Sequence, residues 1–583
     1  MPVAVRPPAV LAMALTGMLL VVSMPALADY RADVGFTSLD ALPGPGAPTG
    51  AGVNVSQVEA LYTVNGVQTF MPDASDTEFL GKNLVDRSGA PAGVYSEHAT
   101  SVGRWFFGNQ SSISPGITDV DVYDATKWLG TGFLRTAGVM GPQPWASTSR
   151  IANHSWVGSG DAFNAERLQR LDWVIARDEF IQVVAVKNGP PNQPLLANAF
   201  NVISVGRSDG GHATGSVAVD NIYTAGRTRP DVVAPNNVTS TTTPGVAAAI
   251  AILVESGHAN AGLSTDPVSQ SVTNRAGAMV RNAERSEVIR AAILAGASRQ
   301  TRNTVAPDIT DYRLLAANQT ANGLDARFGA GQLNVLNSYL VINAGEQNSL
   351  EDDAAGAGAV ATIGFDYDPR FGGYAGTNAT ATYYLPVPAT SGRLAAALVW
   401  NLKIAGGTAA IFSGTATLYD LNLELFDVTD AANWVSVGSS ASTNENTENL
   451  WLAVTGGRKY ALRVTRGPAQ VAFDWDCALA WRLELGAVAD TDGDGVPDDV
   501  DNCTLAANTD QFDGDRDGYG NRCDGDFNND GFTNAQDSIL LRQSIGTGDF
   551  VTDLNHDSFV NAQDITIFRK LLGKPSGPSA LRP

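Results

Sequence analysis

The chain has 583 residues, of which 44% are hydrophobic, and its formal net charge is −22. So acidic a balance argues against a nucleic-acid-binding protein, because phosphate groups attract basic surfaces. The length predicts about three or four domains. The negative charge is concentrated after residue 489, where Asp recurs every second or third residue, a spacing typical of cation ligands.

Residues 1–28 have the pattern of a secretory signal peptide. Arg6 lies before an apolar run over residues 9–22, and small residues at 26–28 offer a cleavage site. The alternative is a membrane anchor, but the run is short and is followed by Pro25. No later segment is long and apolar enough to span a bilayer. The sequence therefore predicts a secreted, extracellular protein.

Residues 29–345 alternate short apolar strands with Ala-rich helical stretches, which predicts an α/β domain. The predicted strands are 53–58, 180–186, 202–205 and 231–234, and the predicted helices are 166–177, 244–255, 285–294 and 332–342.

The sequence pattern then changes to strands of alternating apolar and polar residues, separated by Gly and Asn turns, which predicts a β-sandwich over residues 350–486. The acidic stretch 351–359 has the composition of a linker, and residues 445–449 that of a polar turn. The predicted strands are 395–399, 416–419, 421–426, 450–454, 460–464 and 478–485. This segment either stabilises its neighbour or binds a substrate or surface, and the first interpretation is favoured.

Three segments of the first domain carry candidate chemistry. Residues 52–59 form an alternating apolar strand that ends in Glu59, His98 begins a second segment, and Ser240 lies in a hydroxyl cluster that opens a helix of small residues. A serine hydroxyl needs a neighbouring base to become a nucleophile, and an imidazole base needs a carboxylate to orient it. A helix N-terminus would favour the negative charge that develops during the attack.

These segments resemble the subtilisin (subtilase) family of serine peptidases over about residues 45–345. The other matching segments are 153–156, 184–189, 201–206 and 229–235. The resemblance implies a three-layer α/β domain that hydrolyses a protein or peptide substrate. It also implies the roles of the site residues: Ser240 as nucleophile, His98 as general base, Glu59 as orienting carboxylate and Asn188 as donor to the oxyanion.

Some positions depart from the family pattern. Glu59 replaces an Asp, and Val238 replaces a Gly where the backbone approaches substrate. Ala99 and Gly245 replace a Gly and a His that support the site. The alternative function is therefore a catalytically inactive subtilisin-like scaffold or surface-binding protein.

The acidic region begins with a run of alternating carboxylates and glycines that can direct several oxygens at one hard cation. The candidate calcium ligands are Asp490, Asp492, Asp494, Asp498, Asp501, Asp513, Asp515 and Asp517. Residues 487–524 resemble a thrombospondin type 3 repeat. Cys503 and Cys523 flank one acidic loop of this exported chain and are predicted to pair, which leaves Cys477 as a buried thiol in a strand.

Two loop–helix copies follow, with their first Asp residues at 526 and 553. Each has oxygens at positions 1, 3, 5, 9 and 12, as in an EF-hand loop. The candidate Ca²⁺ ligands are Asp526, Asn528, Asp530, Asn534 and Asp537, then Asp553, Asn555, Asp557, Asn561 and Asp564. Residues 525–574 resemble a type I dockerin, which implies a cohesin-type partner, and residues 575–583 are interpreted as a tail.

Overall fold

The computed structural model describes residues 27–42, 46–136, 141–158, 163–190, 195–352, 357–485, 491–492, 494, 496, 498 and 501–579. The predicted signal peptide, apart from residues 27 and 28, lies outside these residues, and so does the candidate ligand Asp490.

The α-helices of the described residues are α1 Leu27–Asp33, α2 Phe36–Asp40, α3 Glu97–Phe107, α4 Ala125–Lys127, α5 Asn164–Asp178, α6 Thr239–Ala259, α7 Ser286–Gly296, α8 Val335–Asn343, α9 Ala535–Ser544 and α10 Ala562–Leu571. The strands of the first half are β1 Val55–Glu59, β2 Tyr62–Val64, β3 Val67–Thr69, β4 Asn83–Asp86, β5 Asp119–Asp124, β6 Ile151–His154, β7 Ile181–Ala185, β8 Ile203–Arg207, β9 Val232–Ala234, β10 Ser271–Thr273 and β11 Met279–Arg281. Those of the second half are β12 Ile363–Phe371, β13 Thr380–Pro386, β14 Gly392–Val399, β15 Lys403–Ala405, β16 Thr415–Thr417, β17 Leu421–Asp427, β18 Val435–Ser440, β19 Thr447–Val454, β20 Lys459–Arg466 and β21 Trp475–Leu485.

A seven-stranded parallel sheet forms the centre of the first domain, in the order β4-β5-β1-β6-β7-β8-β9. Its strands are apolar on both faces, since Val55 packs in one buried cluster with α6 and Val58 in another with α5. Parallel sheets need this cover on both sides. The predicted α/β class is confirmed, with a layer of helices on each face.

Helix α6 begins at Thr239, five residues before the predicted start at 244. The hydroxyls of Thr242 and Thr243 donate to the Thr239 carbonyl, at 3.0 and 2.7 Å, so these threonines satisfy the first turn. Pro244 therefore lies inside the helix, where it has no N–H to offer the Ser240 carbonyl.

Helix α1 packs against α3, which carries His98, and against α6, which carries Ser240. Tyr30 of α1 is 2% exposed and meets the Trp105 ring of α3 edge-on at 4.8 Å. A side chain at Gly245 of α6 would place its Cβ 2.1 Å from the Tyr30 hydroxyl. Gly245 is thus required by the approach of α1, which explains the absence of a larger residue at this position.

Replacing Gly245 with Ala should destabilise the protein by about 1–3 kcal/mol, because the core is overpacked at Tyr30. The Tyr30 hydroxyl has no hydrogen-bond partner among the described residues, so Tyr30→Phe should be neutral or stabilising. The double variant G245A/Y30F should recover most of the loss. Urea unfolding followed by tryptophan fluorescence measures all three, and a G245A variant as stable as wild type would contradict the packing argument.

Two four-stranded antiparallel sheets form the β-sandwich, in the orders β12-β21-β14-β19 and β13-β20-β17-β18. Their facing sides enclose a core with Leu423, Leu462 and Trp481. The outer side of the first sheet carries Tyr367 and Ala478, which belong to the same apolar cluster as α6 and α7. The sandwich and the α/β domain therefore share buried surface.

Residues 445–449 are buried rather than forming an exposed turn. The Thr228 N–H donates to Glu445, and Asn446 Nδ2 donates to the Trp400 carbonyl at 2.8 Å. Asn449 Nδ2 reaches the Asn322 carbonyl of the α/β domain at 3.0 Å. The polar side chains of residues 445–449 make their hydrogen bonds at the domain junction and not with water. Sequence composition does not distinguish these two environments.

The stretch interpreted as a linker is also engaged where it is described. The Thr382 N–H donates to Glu351 at 2.7 Å, and Asn378 Nδ2 donates to Asp352 at 2.8 Å. These bonds attach the segment to the edge of the sandwich.

The predicted disulfide between Cys503 and Cys523 is confirmed, and Cys477 is a buried free thiol on β21. The last described residues pack back onto this region, since the Gly577 N–H donates to the Cys523 carbonyl at 3.1 Å and Thr504 N–H to the Pro578 carbonyl at 3.1 Å. A small apolar core joins the two loop–helix copies; its members are Leu541, Leu554, Val560 and Phe568. No helix in the described ranges has the length and apolar character needed to cross a bilayer.

Candidate active site and candidate metal sites

The candidate catalytic residues gather at the carboxyl edge of the parallel sheet. Glu59 is the last residue of β1, Ser155 follows β6, and Asn188 lies three residues beyond β7. Carboxyl ends of parallel strands meet at one edge of a sheet, where α/β proteins bind ligands.

Glu59 and His98 are in direct contact. His98 Nδ1 lies 2.9 Å from Glu59 Oε2, and Glu59 is completely buried. Gln57 Nε2 donates to the other carboxylate oxygen, Oε1, at 2.8 Å, and also to the Ala99 carbonyl at 2.8 Å. Sequence reasoning missed Gln57, although its position two residues before Glu59 places it on the same face of the strand.

His98 is the second residue of α3, which Ser96 caps by accepting a 3.1 Å hydrogen bond from the Ala99 N–H. Its side chain is 40% exposed. The hydrogen bond to Glu59 raises the pKa of His98, and partial burial opposes that rise. The imidazole is therefore held in one orientation with its far edge open to a cleft.

Proton NMR titration of the five histidines should place the pKa of His98 above the ordinary value of about 6.5. Burial lowers the pKa of His154 and of His212 to about 4, so these signals should be separate. Because the pKa of His98 is higher in the folded protein than in the unfolded chain, protonated His98 beside Glu59 stabilises the fold. This contribution is fully present below about pH 6.5 and is lost as pH rises through the folded pKa. Glu59→Gln should lower the His98 pKa; a wild-type value at or below 6.5 would contradict the assigned contact.

Ser240 is half-buried in the first turn of α6. The N–H groups of Thr241 and Thr242 reach the Val238 carbonyl, each at 3.2 Å, and the Thr239 N–H donates to Asn188 Oδ1 at 2.9 Å. Among the residues that the structure describes, the Ser240 N–H meets no acceptor. This backbone donor is thus available beside the hydroxyl.

The side-chain oxygen of Asn188, Oδ1, accepts the hydrogen bond from the Thr239 N–H. The Nδ2 donors of the same side chain therefore remain available for another acceptor. An anion in the cleft could therefore receive hydrogen bonds from Asn188 and from the Ser240 N–H, next to the positive end of the α6 dipole.

One cleft of about 310 Å³ brings these groups together. Its lining residues are His98, Ser155, Trp156, Val157, Ala185, Lys187, Asn188, Thr239 and Ser240. Within the described chain no hydrogen bond joins Ser240 to His98, and such bonds often tighten only with substrate bound. In the structure, Glu59 therefore contacts His98, and His98, Asn188 and Ser240 line the same cleft.

Val238 does not require the conformational freedom of glycine. Its φ of −145° and ψ of 144° are extended values that any residue adopts, and it lies outside the set of residues that lines the cleft.

The acidic region contains two tight groups of carboxylates. Oxygens of Asp492, Asp494 and Asp501 lie within 4.8 Å of one another, and so do those of Asp513, Asp515 and Asp517. Asp498 instead accepts a hydrogen bond from the Thr491 N–H at 2.7 Å. An oxygen-only set of this kind fits Ca²⁺.

The two EF-hand-type loops have matching internal hydrogen bonds. Asp526 accepts from the Gly531 N–H at 2.6 Å, and Asp553 accepts from the Ser558 N–H at 2.7 Å. Asn534 and Asn561 cap the two helices, and the last loop residue, Asp537 or Asp564, accepts a hydrogen bond from the N–H of this capping asparagine. Over the described residues, neither loop draws three carboxylates as close together as the two groups above.

Asn528 Oδ1 accepts from the Asp530 N–H at 2.9 Å, and Asn555 Oδ1 from the Asp557 N–H at 3.2 Å. The predicted ligands at positions 1, 3 and 5 therefore share one loop conformation in both copies.

Residues 489–511 and 512–538 match the family model of the thrombospondin type 3 repeat. The second match runs past residue 524, the predicted end of this repeat, into the stretch that the sequence predicts to be dockerin-like. A search of curated proteins found no match to the sequence.

Solved structures similar to this chain include several peptidases. The prenylagaramide maturation protease PagA is 15% identical with a TM-score of 0.29, over 50% of this chain and 94% of that one. The self-cleaved protease domain of PatA is 16% identical with a TM-score of 0.31, over 51% and 98%. A cold-adapted subtilisin-like serine proteinase is 18% identical with a TM-score of 0.26, over 38% and 85%. At these identities and TM-scores the likeness assigns no activity to this chain.

Proposed function

We propose that this protein is a secreted serine endopeptidase that hydrolyses peptide bonds with Glu59, His98 and Ser240. The observation that carries the proposal is the 2.9 Å contact between buried Glu59 and His98 at the edge of a cleft that also contains Ser240. A carboxylate–imidazole pair facing a serine at a helix N-terminus is the arrangement that activates a hydroxyl for acyl transfer.

The proposed role of each side chain follows from the hydrogen bonds that its atoms already make. Glu59 accepts a hydrogen bond from the Nδ1–H group of His98, so Nε2 is the basic nitrogen and can take the Ser240 proton as Oγ attacks the substrate carbonyl. The carbonyl oxygen becomes an anion, which Asn188 Nδ2 and the Ser240 N–H can bind. His98 then returns the proton to the leaving amine, and water releases the acyl group by the same steps in reverse.

Calcium binding and export belong to the same proposal. The two groups of Asp oxygens within 4.8 Å and the match to thrombospondin type 3 repeats support Ca²⁺ in the C-terminal region. The predicted signal peptide and the disulfide support an extracellular location. A cohesin-type partner stays a prediction; exposed Ile539 on α9 and Leu572 beside α10 are apolar surface that it could contact.

Labelling with a fluorophosphonate probe tests the proposal, because such probes react only with an activated serine. Wild type should be labelled, and Ser240→Ala should lose both labelling and peptide hydrolysis, by about 10⁶-fold in rate. Ser155→Ala is the matched control, since Ser155 lines the same cleft but has no place in the proposed chemistry. Equal labelling of wild type and S240A, or none of either, would favour the inactive scaffold.

A further inference from the structure

A lysine lies in the candidate active-site cleft without an acidic residue beside it in the lining. Among the nine described residues that line the cleft, Lys187 carries an ammonium group and none carries a carboxylate. Glu59, the carboxylate of the proposed triad, is completely buried and is already engaged by His98 and Gln57. The cleft of this strongly acidic chain therefore has a positive charge in its wall.

The strand pattern places the Lys187 side chain on the cleft side of the sheet. Pairing of β7 with β8 continues past the end of β7, because the Val186 N–H donates to the Val205 carbonyl at 3.1 Å. Successive side chains of an extended strand point to opposite faces. Val186 packs in the buried cluster that contains α5, and Val183 in the cluster that contains α6. Lys187 is an even number of residues from Val183, so it lies on the α6 face, where the first turn of the helix carries Ser240.

Lys187 is also directly next to the proposed oxyanion donor, Asn188. The Ala213 N–H donates to the Lys187 carbonyl at 2.8 Å, and the Thr239 N–H donates to Asn188 Oδ1 at 2.9 Å, so both residues are held in place. Consecutive Cα atoms are about 3.8 Å apart. A lysine side chain is therefore long enough to reach a group attached beside the carbonyl that Asn188 would bind.

We propose that Lys187 makes this peptidase prefer substrates with a glutamate as the residue whose carbonyl is attacked. This inference rests on the proposed function. An ammonium group has three donors, so it can attract a carboxylate even when it has another partner. The side chains of Trp156, Val157 and Ala185 line the same cleft and can contact the methylene groups of a glutamate.

Three peptide nitroanilides that differ only in the residue before the nitroanilide, which is Glu, Gln or Lys, test the inference. The carbonyl of that residue is the one attacked, so the position of the side chain is fixed. Because glutamine has the shape of glutamate without its charge, the ratio of kcat/KM for these two peptides isolates the effect of the charge.

Wild type should favour the Glu peptide over the Gln peptide by about three- to tenfold, and the Lys peptide should be the poorest. The preference should shrink as NaCl is raised, because salt screens charges in an open cleft. Each ratio compares two substrates on one enzyme, so it does not depend on the fraction of a variant that folds.

Variants at position 187 should change this ratio in opposite directions. Lys187→Met should bring the Glu-to-Gln ratio to about one, and Lys187→Glu should favour the Lys peptide over the Glu peptide. Lys187→Arg keeps the charge and should keep the preference. Lys459→Met is the matched control, since it removes a lysine charge from an exposed position on β20 outside the cleft, and it should keep the wild-type ratio.

The inference is overturned if wild type hydrolyses the Glu and Gln peptides equally, or if Lys187→Glu leaves the order of the three peptides unchanged. Either result would leave the proposed function intact, because hydrolysis itself is observed. A protein that hydrolyses none of the three peptides overturns the inference as well. Serine labelling of wild type and S240A then shows whether the proposed function fails with it.

Discussion

Glu59→Gln should slow peptide hydrolysis by about 10⁴-fold while the fold and substrate affinity persist. Gln57 Nε2 donates to one oxygen of Glu59, and His98 Nδ1 contacts the other. In the variant, Gln57 would keep the amide oxygen of residue 59 as its acceptor, which turns the amide NH₂ toward His98. The imidazole would then accept at Nδ1 and carry its proton on Nε2, where it cannot take the Ser240 proton.

This reasoning predicts a partial rescue. In the E59Q background, Gln57→Met removes the donor that orients residue 59 and allows its amide to turn over. Hydrolysis by the double variant should exceed that of E59Q, although Gln57→Met alone should not improve on wild type. Steady-state kinetics with a chromogenic peptide measures all three. An E59Q enzyme within tenfold of wild type would show that Glu59 does not orient His98.

Removing calcium should unfold the C-terminal modules while the α/β domain and sandwich remain folded. Among the described residues, their shared apolar core has four buried side chains, and the Asp513, Asp515 and Asp517 oxygens lie within 4.8 Å of one another. Without a cation these charges repel, so the free energy of ion binding is largely the free energy of folding. The disulfide remains and keeps residues 503 and 523 together, but it cannot neutralise the loops.

Hydrogen exchange read by mass spectrometry can follow the two parts separately. In EGTA, α9 and α10 should lose protection by several orders of magnitude at a temperature where α6 keeps it. The variant Asp513→Asn with Asp515→Asn should show part of this loss even in Ca²⁺. Asp510→Asn should not, because this exposed carboxylate lies outside both groups and its ion pair with the exposed His556 contributes little free energy. Simultaneous loss of protection in α6 and α9 would mean that the modules do not fold independently.

Some residues of the candidate active site can be predicted from the sequence, and others cannot. Glu59 ends an alternating strand, and Ser240 lies in a hydroxyl cluster before a run of small residues, but their roles are predicted from the resemblance of these segments to the subtilisin family. The anchoring of Glu59 by Gln57 was missed, because a glutamine in a buried strand has many interpretations until its acceptor is known. The earlier start of α6 was missed for a related reason, since threonine hydroxyls that bond back to the Thr239 carbonyl make the hydroxyl cluster helical.

By itself, the sequence determined the α/β class, the change to antiparallel strands, the Cys503–Cys523 bond and the acidic repeats, because periodicity and spacing act over a few neighbouring residues. Only the tertiary structure decided that residues 445–449 are buried at a domain junction, and that Asp366 and Asp368 of β12 are buried against the sandwich core. The meaning of a polar side chain depends on which groups reach it from distant parts of the chain. A carboxylate in water and one sealed between two sheets look the same in a sequence, although their free energies differ by several kcal/mol.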